Sequence, residues 1–109
     1  MSGNARPAPE HRTMSAYIIA DVIVTNEEQM KEYRVWSSRA MLEHGAEVVV
    51  RGGAIEPLEG GWVPQRVVVL KFASLAAARA YYDSETYRHA RKLREGAGSI
   101  RMFAVEGVN

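Results

Sequence analysis

The sequence predicts an α+β fold of the ferredoxin-like kind, with a four-stranded antiparallel sheet and the element order βαββαβ. Two observations carry this prediction: four apolar, β-branched runs are interspersed with stretches of helical spacing, and glycine or proline residues stand at several of the breaks. A third observation is that the predicted strands are apolar on both faces. Helices cover only one of these faces, so we predict a homodimer in which two sheets pack together as a dimeric α+β barrel.

The first strand and the first helix follow from local patterns near the start of the domain. Ala16–Val24 is apolar and rich in β-branched residues, which predicts a strand. Thr25 and Glu28 have the spacing of a capping box, which predicts a helix that opens from Asn26. Gly45 stands where a C′ glycine ends such a helix. Helical spacing places six residues on one face of this helix: Met30, Tyr33, Ser37, Ala40, Met41 and His44.

The second and third predicted strands flank a long loop. Glu47–Arg51 and Gln65–Ala73 both contain runs of valine, and we predict that both are strands. The segment between them, Gly52–Pro64, is rich in glycine and proline and is therefore predicted to be a loop.

The sequence of the last part of the domain predicts an interrupted helix followed by a fourth strand. Ser74 is placed to cap a helix over Leu75–Tyr82, which is rich in alanine. Asp83-Ser84 interrupts the helical pattern, which resumes over Glu85–Arg94. Two glycines then end the helix, and Ser99–Glu106 is the predicted last strand.

The composition fits one small globular domain. Of the 109 residues, 47% are hydrophobic and 25% are charged. Residues 1–15 hold two of the four prolines and almost no large apolar side chains, so we expect a disordered tail before a single domain over residues 16–109. No apolar run approaches the ~20 residues that span a bilayer, and the tail lacks the apolar stretch of a signal peptide. We therefore expect a cytoplasmic protein with no membrane contact.

Charge and motif content exclude several function classes. The formal net charge is +1, so no global field draws the protein to nucleic acid, and we interpret the basic stretch over residues 88–94 as a solvated helix face. Cysteine is absent, which excludes disulfides and thiolate metal sites. The three histidines lack the short spacings of metal ligands, and the glycine pairs match no phosphate-binding loop. We expect no metal, no other cofactor and no nucleic-acid partner.

One set of residues, spread over nearly the whole domain, has the pattern of a known family. The set consists of Tyr33, Gly45, Arg51-Gly52-Gly53, Glu59-Gly60, Trp62, Arg66, Phe72, Ala78, Tyr82, Ser84, Tyr87 and Arg94. On these residues, the chain resembles domain-of-unknown-function family 1330, within the dimeric α+β barrel superfamily. The departures are Asn26, Ala46, Ala73 and Tyr82, where that family favours aspartate, glycine, proline and tryptophan. The resemblance implies a fold and candidate positions, whereas related barrel families include oxygenases, isomerases and haem-binding proteins.

Two arginines and a glutamate form the first candidate cluster. Arg51 ends one predicted strand and Arg66 opens the next, so hairpin pairing brings them near each other, and Glu59 lies in the loop between them. Two guanidinium groups can hold a carboxylate or enolate, with Glu59 as orienting group or general base. The alternative is a structural Arg–Glu network that fixes the loop on the dimer.

A second candidate cluster combines hydroxyl groups and an arginine. Tyr33 lies on the buried face of the first predicted helix, and hydroxyls at the break of the second can face a cavity between helices and sheet. The remaining members of the cluster are Tyr82, Ser84, Tyr87 and Arg94. The alternative is that the aromatic rings only pack, each hydroxyl with one backbone partner. Trp62 is a further candidate for the wall of a pocket, with packing at an interface as the alternative. Asp21, which interrupts the first strand, is predicted to pair with Arg101 or Lys71 or to be exposed.

These clusters favour two functions from different classes. The first is a cofactor-independent enzyme, or a binder, for a small anionic or carbonyl-bearing metabolite. In it Arg66 and Glu59 are the catalytic residues, Arg51 helps to bind and polarise the acidic group, and the tyrosines and Ser84 position the ligand. The second is a non-catalytic structural or binding homodimer whose charged clusters are architectural.

Overall fold

Four antiparallel strands and three helices make up residues 14–108, the part of the chain that this computed structural model describes. The elements are β1 (Ala16–Val24), α1 (Glu27–Glu43), β2 (Glu47–Arg51), β3 (Val67–Phe72), α2 (Leu75–Asp83), α3 (Glu85–Leu93) and β4 (Gly98–Glu106). The strand order in the sheet is β2-β3-β1-β4, which confirms the predicted ferredoxin-like fold. Of the tail predicted over residues 1–15, residues 1–13 lie outside the described residues. No helix between residues 14 and 108 is long and apolar enough to cross a membrane.

The cap of α1 is Asn26 and not the predicted Thr25. Oδ1 of Asn26 accepts a hydrogen bond from the backbone N–H of Gln29 at 3.0 Å. The backbone N–H groups of Thr25 and Asn26 both donate to the carbonyl of Ala97, at 2.8 and 3.0 Å, so the turn after α3 holds the chain where it enters the helix. The predicted capping box of Thr25 and Glu28 is therefore wrong. Asn26, one position later, accepts the capping hydrogen bond from the residue three positions after it.

A single serine separates α2 from α3, as the sequence predicts. The hydroxyl of Ser84 donates to the carbonyl of Tyr81 at 2.8 Å and accepts from the N–H of Tyr87 at 3.1 Å, so it closes one helix and caps the next. Ser74 caps α2 in the same way, accepting from the N–H of Ala77 at 3.0 Å. The break at Ser84 leaves the rings of Tyr81 and Tyr87 against each other, with centroids 4.6 Å apart.

The core lies between the sheet and the helices. The largest fully buried side chains are Met30, Phe72, Tyr81 and Tyr87, and each contributes on the order of 1.5–3 kcal/mol through its buried surface. Both α2 and α3 belong to this core, and α2 packs directly on β1, β3 and β4. By contrast, α1 packs chiefly on α3. The sheet and α1 therefore enclose a space that the core does not fill.

The other face of the sheet is apolar and uncovered, as the sequence predicts. Ile19 in β1 lies between Val69 in β3 and Phe103 in β4, and the three side chains share this face. Phe103 is 60% exposed. Trp62, from the loop between β2 and β3, joins Phe103 in lining a groove on this face. An exposed apolar surface of this kind is typical of an interaction site.

One ion pair interrupts this apolar face. Asp21 lies directly opposite Arg101, and its Oδ2 accepts a hydrogen bond from Nη2 of the arginine at 3.2 Å. The Oδ1 atom of Asp21 accepts a second one from the backbone N–H of Gln65 at 3.1 Å. The predicted cross-strand pair of Asp21 with Arg101 is confirmed, and this carboxylate has a structural role.

We expect a side chain at Gly98 to destabilise the protein. Gly98 has φ 149, and a Cβ there would collide with the backbone carbonyl oxygen of Ile23. Gly98→Ala should therefore lower the free energy of unfolding by about 2 kcal/mol or more, measured by urea denaturation. Gly53→Ala is the matched control, because a Cβ at Gly53 meets nothing within 4 Å, and its effect should stay within about 1 kcal/mol. Equal losses in the two variants would contradict this account.

Candidate functional site

A cavity of about 140 Å³ lies between α1 and the helix-facing side of the sheet. Most of its wall is apolar and consists of Ile18, Ala20, Val22, Met30, Met41, Val68, Leu70, Ile100 and Met102. An engineered cavity of about 150 Å³ in another protein admits benzene, so this one has room for a single ring or a short branched chain.

Three tyrosines, one from each helix, form a polar part of the cavity wall. Tyr33 of α1, Tyr81 of α2 and Tyr87 of α3 all line the cavity. The hydroxyl oxygens of Tyr33 and Tyr87 lie 2.7 Å apart and share a hydrogen bond. The Tyr33 and Tyr87 rings meet edge to face, with centroids 6.1 Å apart. The cavity wall thus presents hydroxyl groups in otherwise apolar surroundings.

Burial keeps the phenols of Tyr33 and Tyr81 protonated. Desolvation raises the pKa of Tyr33 well above its ordinary value, and the adjacent Tyr87 raises it further. Desolvation raises the pKa of Tyr81 in the same direction, again with a contribution from Tyr87. Tyr33 and Tyr81 therefore act as neutral hydrogen-bond donors and not as bases at physiological pH.

Arg51 and Arg66 supply positive charge to the cavity lining. A β-bulge in β2 determines where Arg51 lies: Val48 is opposite Leu70 and Val50 is opposite Val69, so Val49 is an extra residue. Arg51 is consequently opposite Val68, which lines the cavity. Without the extra residue, Arg51 would belong to the open face of the sheet.

Gly52 makes room for the second arginine. A Cβ at Gly52 would collide with the guanidinium group of Arg66, and the N–H of Gly52 donates to the carbonyl of Val67 at 2.8 Å. The β2–β3 pairing therefore brings both predicted arginines to the same cavity. Within residues 14–108, neither Arg51 nor Arg66 forms an ion pair.

A third arginine in the lining is already neutralised. Nη1 and Nη2 of Arg34 donate to the two carboxylate oxygens of Glu27 at 2.6 and 3.2 Å. These hydrogen bonds lower the pKa of Glu27, to which Arg66 adds only a minor electrostatic contribution. The unpaired charge at the cavity is therefore that of Arg51 and Arg66.

The lining of the cavity contains no carboxylate and no histidine. Its titratable side chains are arginines and tyrosines, so it offers cations and neutral donors but no group that takes a proton near neutral pH. Over residues 14–108, no cluster of three or more His, Asp or Glu side chains is arranged to hold a metal ion.

The predicted catalytic glutamate lies away from this cavity. Glu59 is exposed in the loop between β2 and β3, is not part of the lining, and forms no ion pair with any residue of the described range. The loop therefore does not bring Glu59 between Arg51 and Arg66.

The other predicted site residues also occupy different surroundings. Trp62 lines the groove on the open face of the sheet, and Tyr82 lines a groove beside α2, where Arg91 stacks on its ring at 4.0 Å. The hydroxyl of Ser84 is used by the backbone at the helix break. Arg94 lies outside the lining, with its guanidinium carbon 5.4 Å from the ring centroid of Tyr33.

Sequence reasoning missed one of the most buried groups of the cavity. Tyr81 is 2% exposed and lines the cavity, whereas the sequence prediction selects its neighbour Tyr82. A signal was present, since Tyr81 lies three residues after the fully buried Ala78 and therefore on the same helix face. Arg34 and Ser38 are further lining residues that were not predicted.

Comparison with known proteins places the chain in a family without an assigned function. A family model described as "Domain of unknown function (DUF1330)" matches residues 15–108. No curated protein matches the chain. Among solved structures, it is similar to RPA0582, a protein of unknown function from Rhodopseudomonas palustris. The two are 21% identical, the TM-score is 0.71, and the match covers 90% of this chain and 85% of that chain.

Two further structures share the fold at lower identity. A dimeric ferredoxin-like protein of unknown function from Thermobifida fusca is 17% identical with a TM-score of 0.56, and the match covers 96% of this chain and 100% of that chain. SnoaB, a cofactor-independent oxygenase from Streptomyces nogalater, is 6% identical with a TM-score of 0.58, and the match covers 89% of this chain and 96% of that chain. At these identities the likeness concerns the fold alone.

We expect the stability of the protein to fall in alkaline solution because of Tyr33 and Tyr81. Above about pH 10, tyrosines of the unfolded chain lose their protons while these two keep theirs, so unfolding releases protons and its free energy falls as pH rises. The contribution approaches about 1.4 kcal/mol per pH unit for each phenol.

Urea denaturation between about pH 8 and about pH 11 measures this slope. The double variant Tyr33→Phe with Tyr81→Phe should flatten it. Tyr17→Phe, on the other face of the sheet, should leave it unchanged. An unchanged slope in the double variant would show that other groups govern the alkaline transition.

Proposed function

The chain belongs to the DUF1330 family, and from that premise we propose that it binds a small organic anion in the cavity between α1 and the sheet. The observation that carries this proposal is the pair of arginines, Arg51 and Arg66, in the lining of an apolar cavity with no carboxylate to neutralise them. Two like charges at one cavity repel each other, and a bound anion removes that repulsion. Guanidinium groups also match a carboxylate in geometry.

The cavity dimensions support a monocarboxylate with one ring or a short branched chain. Its volume of about 140 Å³ accommodates about the size of a benzene ring, and its lining is chiefly apolar. In the proposed mode, the ring lies among Met30, Met41 and Met102, whose flexible side chains adapt to a ligand. The carboxylate is then bound by the two arginines.

The chemistry of the lining favours binding and polarisation. The arginines and the neutral phenols stabilise negative charge on a ligand, which is the electrophilic half of an enzyme's task. The other half, moving a proton, is the role that sequence analysis gives to Glu59. For a cofactor-independent enzyme, the loop between β2 and β3 must therefore bring the exposed Glu59 carboxylate to the arginines. The binding function requires no such movement.

The proposal includes a homodimer formed through the open face of the sheet. Ile19, Val69 and Phe103 form an apolar surface there, and Trp62 extends it from the loop. A second copy of the same sheet is the complementary apolar surface that a closed dimer requires. The description of the Thermobifida fusca protein as dimeric is consistent with this arrangement. Because the cavity lies on the opposite side of the sheet, the dimer leaves it accessible.

We expect benzoate to stabilise the protein through Arg51 and Arg66. At a concentration of about 100 times Kd, mass action adds about 2.7 kcal/mol to the free energy of unfolding, which raises Tm by roughly 10–20 °C. Arg51→Gln and Arg66→Gln should each weaken benzoate binding by about tenfold to a hundredfold, because a charge-assisted hydrogen bond is lost.

The matched control is Arg88→Gln, which removes an exposed positive charge of α3 away from the cavity. Calorimetric titration of the three variants with benzoate separates a local contact from a general charge effect. If Arg88→Gln weakens binding as much as Arg66→Gln, the arginines of the cavity do not form the site. If neither benzoate nor a short branched carboxylate binds the unmodified protein, the proposed function is wrong.

We expect Phe103→Glu to convert the dimer into a monomer. Phe103 lies at the proposed sheet–sheet contact, where a carboxylate from each copy would be buried without a partner. Val35→Glu is the matched control, because Val35 is exposed to a similar extent, 62% against 60%, but lies on α1. Light scattering coupled to gel filtration measures both masses. A monomeric unmodified protein, or a Phe103→Glu variant that stays dimeric, would contradict the proposed interface.

A further inference from the structure

The tyrosines of the cavity wall have an unused capacity to donate hydrogen bonds. The hydroxyls of Tyr33 and Tyr87 share one hydrogen bond. One hydroxyl proton donates in that bond, and the other hydroxyl proton of the pair is left to donate elsewhere. The hydroxyl of Tyr81 forms no hydrogen bond of 3.5 Å or less with any residue of the described range. A side-chain contact with Tyr87 raises the pKa of Tyr81, but that contact falls outside the geometry of a hydrogen bond.

The unused donor of Tyr81 faces the cavity. Tyr81 is 2% exposed and lines the cavity. Its hydroxyl oxygen has no hydrogen-bond partner in the described part of the chain but is not fully enclosed by protein atoms. Tyr81 lines this cavity and neither of the two grooves described above, so the cavity is the open space assigned to its hydroxyl. A donor left in apolar surroundings without an acceptor is costly, so a ligand that supplies an acceptor oxygen has an advantage over one that does not.

The charges around the tyrosines strengthen them as donors. The guanidinium group of Arg94 lies 5.4 Å from the ring centroid of Tyr33 and favours negative charge on its oxygen. Arg94 forms no ion pair within residues 14–108, and its enclosed Nε has no hydrogen-bond partner there. A hydroxyl polarised in this way donates more strongly to an oxygen that carries partial or full negative charge.

We propose that the ligand is a small hydroxy- or oxo-carboxylic acid, whose carboxylate is bound by Arg51 and Arg66 and whose second oxygen accepts a hydrogen bond from Tyr81 and the Tyr33–Tyr87 pair. The inference rests on the proposed function and narrows it from any small carboxylate to one with a second acceptor oxygen. The same donors stabilise the ionised form of that oxygen, a phenolate or an enolate, relative to its protonated form.

Ligand pairs of similar shape test this inference. The probes are 3- and 4-hydroxybenzoate, compared with 3- and 4-methylbenzoate, in which a methyl group replaces the hydroxyl. We expect at least one hydroxybenzoate to bind about tenfold or more tightly than its methyl counterpart. Tyr81→Phe should reduce this preference to about twofold or less. Tyr17→Phe, on the opposite face of the sheet, should preserve the preference.

A spectroscopic readout adds information that affinity alone does not give. The ultraviolet absorbance of a hydroxybenzoate shifts when its phenol ionises, so a titration with pH reports the pKa of the bound phenol. We expect that pKa to be lower on the unmodified protein than in water, and the lowering to be smaller on Tyr81→Phe.

The outcomes separate the two proposals. Benzoate binding with no preference for either hydroxybenzoate, or a preference that survives in Tyr81→Phe, overturns the assignment of the second oxygen and leaves the anion site in place. The absence of binding by all five benzoates overturns this inference, and the anion site is overturned with it when short branched carboxylates also fail to bind.

Discussion

The ring contact between Tyr81 and Tyr87 is the interaction on which the arrangement of the helices depends. Ser84 ends α2 and begins α3, and the two rings meet across that break with centroids 4.6 Å apart. Tyr87 is then in position to hydrogen-bond Tyr33 at 2.7 Å, which ties α1 to α3. In this arrangement α1 packs chiefly on α3, and the cavity lies between α1 and the sheet. The cavity is thus a consequence of how the helices pack.

The distribution of charge gives that space its chemical character. The acidic side chains nearest to it are already engaged: Glu27 is paired with Arg34, and Asp21 lies on the other face with Arg101. The two remaining cations enter the lining without a counter-charge, and the polar groups between the helices are neutral phenols. A cavity whose lining has two unpaired arginines and no carboxylate favours anions over cations and over neutral apolar molecules.

Local patterns predicted much of the fold, whereas long-range geometry determined the site. The bounds of β1 and β2 match the sequence prediction because β-branched residues form those strands with few competing signals. The cap of α1 was missed by one residue, since Thr25 and Asn26 are adjacent and both good caps, and only the structure shows that Asn26 accepts the bond from Gln29. Glu59 could not be located from the sequence, because nothing local fixes a long loop with no secondary structure of its own.

The bulge in β2 has a consequence for comparing relatives of this protein. One extra residue, Val49, reverses which side of the sheet the following side chain belongs to, so Arg51 owes its place in the cavity to a residue count and not only to its own identity. A homologue that keeps the arginine but lacks the extra residue would have the same fold with this cation turned toward the opposite surface. Transfer of function between family members therefore depends on aligning insertions and deletions in this strand, and a conserved arginine by itself is insufficient.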